Sequence, residues 1–96
     1  MGLHEQKIEG VPQFVSYFVP VIELMRDLGG QVRPRQVFEE LIKRHQIPQD
    51  FLELTNKNGG SKFENKVHFA RFYLFKAGVM TSPNRGVWEL TDQGRN

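Results

Sequence analysis

The stretch AGVMTSPNRGVWELTDQG, residues 77–94, constrains this chain more than any other. Two short apolar runs, 79–82 and 87–91, flank Pro83-Asn84-Arg85-Gly86. Runs so close in sequence, joined by Pro, Asn and Gly, can form a hairpin. Everything before the hairpin reads as helix and loop, so the chain has to fold helices first and one small β element last.

The helices are read from apolar spacing. Phe14, Tyr17 with Phe18, Val21, Leu24 with Met25, and Leu28 recur at helical intervals, with Pro12 suited to a first helical position and Gly29-Gly30 to a stop. Pro20 falls inside this run, which predicts a kink or a break. A second helix begins at Pro34 and buries Val37, Phe38, Leu41 and Ile42, while Glu39, Glu40, Lys43 and Arg44 form an ordinary solvated face. Pro48 can start one or two turns through Leu54 before an Asn/Gly-rich loop breaks them. A third long helix runs from about Ser61 or Lys62 to Ala77 and stops at Gly78. Residues 1–11 show no periodicity and read as a flexible lead-in, leaving 12–96 as one domain.

The fold class expected is therefore mainly α with a small β-hairpin, in the order of a winged helix-turn-helix. In such a domain the third helix lies in the major groove and the wing reaches the backbone or minor groove. With 96 residues, 39% apolar, the chain has room for one core. It has no cysteine, which excludes disulfides and thiolate metal sites and suits a reducing, cytoplasmic setting. No apolar run approaches the roughly 18 residues of a membrane span, so no membrane partner is expected. The net charge of +2 hides an asymmetry. Over residues 57–85 six basic side chains face one acid, Glu64; the other residues carry seven basic and ten acidic ones. Clustered positive charge is what a polyanion-binding surface needs, although a solvated surface with a chance excess would give the same count.

On the third helix, Phe63, Val67, Ala70, Leu74 and Ala77 fall in one sector and form the expected core stripe. The opposite side carries Lys62, Asn65, Phe69, Phe72 and Lys76, with His68 beside them. Lysine neutralises phosphate, and asparagine can pair bidentately with adenine. Phe69 and Phe72 either form a second buried side or offer an apolar surface to a partner; burial is the simpler reading for Phe69. An exposed phenylalanine there could contact a base methyl group. Tyr73 reads as a core-rim residue. Arg85, between Asn84 and Gly86, projects from the wing tip, where a narrow minor groove would attract it; Trp88 reads as the anchor of the wing. Lys57 and Ser61 could reach phosphate near the helix N-terminus. His45 and His68 lack the companions of a metal site, and His4 lies in the lead-in; no metal or other cofactor is expected.

The segment ENKVHFARFYLFKAGVMTSPNRGVWELTDQG resembles the N-terminal domain of Mrr-type restriction endonucleases. That family has an Asn-Arg-Ile-x-Trp-Ala-Arg-like segment, then Leu-x-x-Ala-Gly-Leu, Ser-Pro-x-Arg-Gly, an aromatic-containing strand and Thr-x-x-Gly. The matching positions are Asn65, Lys66, Val67, Phe69, Ala70, Arg71, Leu74, Ala77, Gly78, Ser82, Pro83, Arg85, Gly86, Trp88, Thr91 and Gly94. The likeness reaches back to FVPVIELMRDLGG, which makes Pro20 a family feature. Phe69 stands where the family has tryptophan and Lys66 where it has arginine.

The resemblance implies a winged-helix, DNA-binding targeting module, often directed to methylated DNA, that precedes a metal-dependent nuclease domain in the full enzyme. Glu5-Gln6-Lys7 has a nuclease-like Glu-x-Lys spacing but lies in the lead-in with no aspartate-bearing strand before it. The expectation is thus a non-catalytic domain that binds duplex DNA and acts with a nuclease domain absent from this chain. Its contacts would be Lys57, Ser61, Lys62, Asn65, Lys66, His68, Phe69, Phe72, Lys76, Asn84 and Arg85. The alternative is a protein-interaction or dimerisation winged helix in which Phe69 and Phe72 dock a partner or a second copy.

Overall fold

The computed structural model describes residues 13–95; the lead-in with His4, Glu5 and Lys7, and the expected first helical position at Pro12, lie outside them. A 3-10 turn at Gln13–Tyr17 runs into α1, Phe18–Asp27, followed by β1, Gln31–Val32, and α2, Pro34–His45. A short α3, Gln49–Leu52, precedes the loop that leads into α4, Lys62–Lys76. Then come β2, Met80–Thr81, β3, Trp88–Leu90, and a last turn of helix, α5, Asp92–Arg95. The architecture is mostly helical with a small three-stranded antiparallel sheet, compatible with a winged helix.

Proline and glycine set the joints. The expected break at Pro20 lies just ahead of it: the 3-10 turn ends at Tyr17 and Pro20 falls in the first turn of α1. There the missing N–H costs nothing, because the first four helical N–H groups have no partner within the helix. Pro34 opens α2, and the Gln36 side chain accepts a hydrogen bond from the Arg33 N–H at 2.8 Å. At the end of α4, Gly78 (φ 80°) turns left-handed, so that its N–H donates to Phe75 O (3.1 Å) and the Val79 N–H to Leu74 O (3.0 Å). That double closure turns the chain sharply from helix into wing.

The sheet has the order β1-β3-β2, with β3 central. Met80 pairs with Leu90 and Thr81 with Glu89 in the hairpin, while Gln31 pairs with Glu89 and Val32 with Trp88 on the other edge. The hairpin is as expected, though its strands are shorter than 79–82 and 87–91. The third strand was not expected: two residues are too few to show alternation, and β1 exists only because β3 returns to it.

The core lies between the helices and the sheet. Tyr17, Val21, Leu24 and Met25 meet Val37 and Leu41 of α2, Phe63, Val67, Ala70 and Leu74 of α4, and Met80, Trp88 and Leu90 of the sheet. Four of the five expected core residues of α4 are buried. Ala77 is exposed because it is the C-cap, where the chain leaves the helix, and Leu28 is exposed at the equivalent point of α1. On the outer side, Arg44 bridges α2 to α1 through Asp27 (2.7 Å) and holds Glu40 (2.9 Å) within its own helix.

Candidate nucleic-acid interface

The wing is built by its own residues. The Ser82 hydroxyl lies 3.1 Å from Asn84 O and 2.8 Å from Val87 O, and the Val87 N–H donates to Asn84 O at 3.1 Å. Asn84–Val87 is therefore a tight turn with Arg85 second and Gly86 third, and Gly86 has the positive φ (76°) that this position of a type II turn demands. Arg85 is exposed and makes no hydrogen bond or ion pair among the described residues. The Asn84 side chain is exposed beside it.

Trp88 anchors the wing. It is 4% exposed in the core, its ring lies edge-on to His68 (5.8 Å between centroids), and the Arg71 guanidinium sits 5.7 Å from its ring. Arg71 also lies 5.4 Å from the Phe75 ring, and its Nε is buried with no hydrogen-bond partner among the described residues. The two ring faces supply the attraction that an acceptor would otherwise provide. Phe38 also packs edge-on against His68, at 5.6 Å.

The opposite flank of α4 is aromatic as well. Phe14, from the 3-10 turn, stacks on Phe69 (5.5 Å) and on Tyr73 (5.3 Å), while Phe72 meets Tyr73 edge-on at 5.4 Å. The Lys76 ammonium lies 5.0 Å from the Phe72 ring. Even so, Phe69 (46%), Phe72 (44%), Tyr73 (48%) and Phe75 (47%) all remain about half exposed. Phe69 therefore rests one face on the body and presents the rest to solvent, and Tyr73 is more exposed than a core-rim residue. Asn65, His68, Phe69 and Phe72 line one shallow depression of about 230 Å³ on this face.

Four of the expected contacts thus converge, and Lys76 adjoins them through Phe72. Lys62 is exposed in the first turn of α4, and Lys66 is half-buried one turn further on. The Ser61 hydroxyl caps α4 by accepting from the Glu64 N–H at 3.2 Å. Lys57 is the second residue of another tight turn, closed by the Gly59 N–H to Asn56 O (2.9 Å), and is exposed. Lys57 and the pair Asn84/Arg85 stand on separate turns, outside the depression. Phe14, Tyr73, Phe75 and Arg71, which pack on or beside this face, were not among the expected contacts. Phe14 looked like helix core from its spacing, and only the 3-10 geometry carries it across to α4.

Among the described residues no three His, Asp or Glu side chains cluster as metal ligands, and no helix is long and apolar enough to cross a membrane. A second Glu-x-Lys, Glu64-Asn65-Lys66, lies on α4, outside any such cluster. The model of the Mrr N-terminal domain matches residues 14–96.

The chain belongs to the Mrr N-terminal domain family.

No curated protein and no solved structure matches it. Several residues that carry the Mrr likeness hold the wing in place. The Thr91 hydroxyl donates to Gly78 O and accepts from the Gly94 N–H (3.3 Å), while Gly94 O accepts from Arg26 Nε (3.1 Å). Gly94 is buried, and a Cβ there would collide with the Val79 carbonyl oxygen. Thr91, Gly94, Ser82 and Gly86 thus shape and brace the wing, whereas Arg85 of the Ser-Pro-x-Arg-Gly segment carries a charge with no partner among the described residues.

Proposed function

We propose that this Mrr N-terminal domain is the non-catalytic, duplex-DNA-binding targeting module of a restriction endonuclease, working with a nuclease domain elsewhere in the full-length protein. One observation carries the reading. Among the described residues, the face of α4 that bears Lys62, Asn65, His68, Phe69, Phe72 and Lys76 is exposed, and the arginine of the neighbouring wing makes no hydrogen bond or ion pair. A helix with an outward basic face and a projecting cationic turn suits the major groove and the adjacent backbone or minor groove. Lys57, Ser61, Lys66 and Asn84 fill the phosphate-contacting rim in this reading. Family membership in a restriction system points the same way.

The finer proposal is a preference for methylated DNA, motivated by the apolar rings beside Asn65. A methyl group projecting into the major groove is met favourably by such a surface. The test is fluorescence anisotropy with matched duplexes, unmethylated, N6-methyladenine-bearing and 5-methylcytosine-bearing, titrated at several salt concentrations. Affinity that falls steeply with salt supports DNA binding; equal affinity for all three duplexes at fixed salt refutes the methyl preference. A dimer in size-exclusion chromatography with no salt-dependent DNA affinity would favour the protein-interaction reading instead.

A further inference from the structure

We infer that the depression on α4 receives a single unstacked base of a DNA strand. The inference rests on the DNA-binding reading and asks what the aromatic surface adds to it. Bases inside a duplex present only their edges to a groove, so the most that an apolar side chain can meet there is a methyl group. Phe69 and Phe72 offer far more than one methyl could cover, for each keeps over two-fifths of its surface in solvent. Ring faces are matched by base faces, and a base shows its face only when it leaves the stack.

The site is preformed for that ligand. At about 230 Å³ the depression lies below the ~300–1,000 Å³ typical of drug-sized pockets, a scale suited to one planar ring system rather than a base pair. Phe14 backs the Phe69 ring, Tyr73 braces Phe72 edge-on, and His68 packs edge-on to both Phe38 and Trp88. Walls fixed by packing lose little freedom on binding. Asn65 lines the same depression with an amide, both donor and acceptor, that can pair with the edge of a base resting on the rings.

Charge selects the occupant. Lys62 and Lys76 stand at the two ends of this face, and the sole acid of α4, Glu64, points about 100° away from Asn65 around the helix. A second copy of the same face would set lysines against lysines. A nucleic-acid strand supplies phosphates to the lysines and a base to the rings.

The experiment compares the 96-residue chain on three DNAs of the same sequence at fixed salt: a fully paired duplex, a duplex with one bulged base, and the single strand. The bulged duplex should bind at least about fivefold tighter than the paired one, the effect of one base–aromatic stack. Phe72→Ala should bring that ratio close to one, and Phe72→Trp should keep it, with circular dichroism melts confirming that both variants fold. A bulged duplex favoured over the single strand supports an extruded base as the ligand, and equal binding of the two supports an already unpaired one. Salt-dependent binding with a ratio of one in the native chain overturns the inference and leaves DNA binding intact. A ratio that survives Phe72→Ala overturns the site, and loss of all salt-dependent binding overturns the DNA reading itself.

Discussion

Arg85 and Gly94 belong to the same family-like segment but sit in opposite surroundings, one exposed and the other buried. Arg85 has no partner among the described residues, so Arg85→Ala should leave the melting temperature unchanged. It should weaken DNA binding to all sequences and lower the slope of log K against log salt by about one contact; an unchanged slope with unchanged affinity would rule out contact by the wing tip. A Cβ on Gly94 would run into the Val79 carbonyl oxygen and crowd the Leu90 side chain, so Gly94→Ala should destabilise by about 1–3 kcal/mol, read in thermal or urea unfolding. Tyr17 is fully buried with its hydroxyl unpartnered among the described residues, and burial pushes its pKa from 10.0 up to about 12. The unfolded chain ionises first as pH rises, so the ionisation of this residue has no effect on stability below about pH 10 and takes stability away between pH 10 and 12. Tyr17→Phe should be as stable as the native chain or more so at pH 7, and should lose less stability across that alkaline window. A clear loss at pH 7 would mean that the hydroxyl is paired.

The elements show which parts of the site a sequence can disclose. The extent of α4 and its stop were legible because the apolar stripe from Phe63 to Leu74 and Gly78 are local signals, while the cap by Ser61 came only with the structure. The partner of its aromatic flank was not, because Phe14 reaches Phe69 and Tyr73 across more than fifty residues of chain. Phe14→Ala removes two stacked pairs and should cost about 1–3 kcal/mol while loosening the rings that line the α4 face. The cap offers a separate check on Ser61. Aspartate caps a helix as well as serine does, so Ser61→Asp should hold or raise stability. If Ser61 lies near phosphate, the added negative charge should also weaken DNA binding, and undiminished affinity would remove Ser61 from the interface.

For the whole molecule, one cluster of buried side chains joins α1, α2, α4 and the sheet, so the wing and α4 keep a fixed relation through Trp88. The sequence by itself determined the order of helices, the hairpin turn, the basic bias of residues 57–85 and the family likeness, since each depends on neighbours a few residues apart. It could not disclose β1, whose two residues have no pattern of their own, nor the bracing of the wing by Arg26 and Thr91. Above all it left Phe69 and Phe72 between core and surface, because helical spacing tells which residues share a face but not what covers it. Tertiary packing decided that point: Phe14 supports one side of the aromatic row, Trp88 and Phe38 fix His68 on the other, and nothing in the described fold closes over the depression between them.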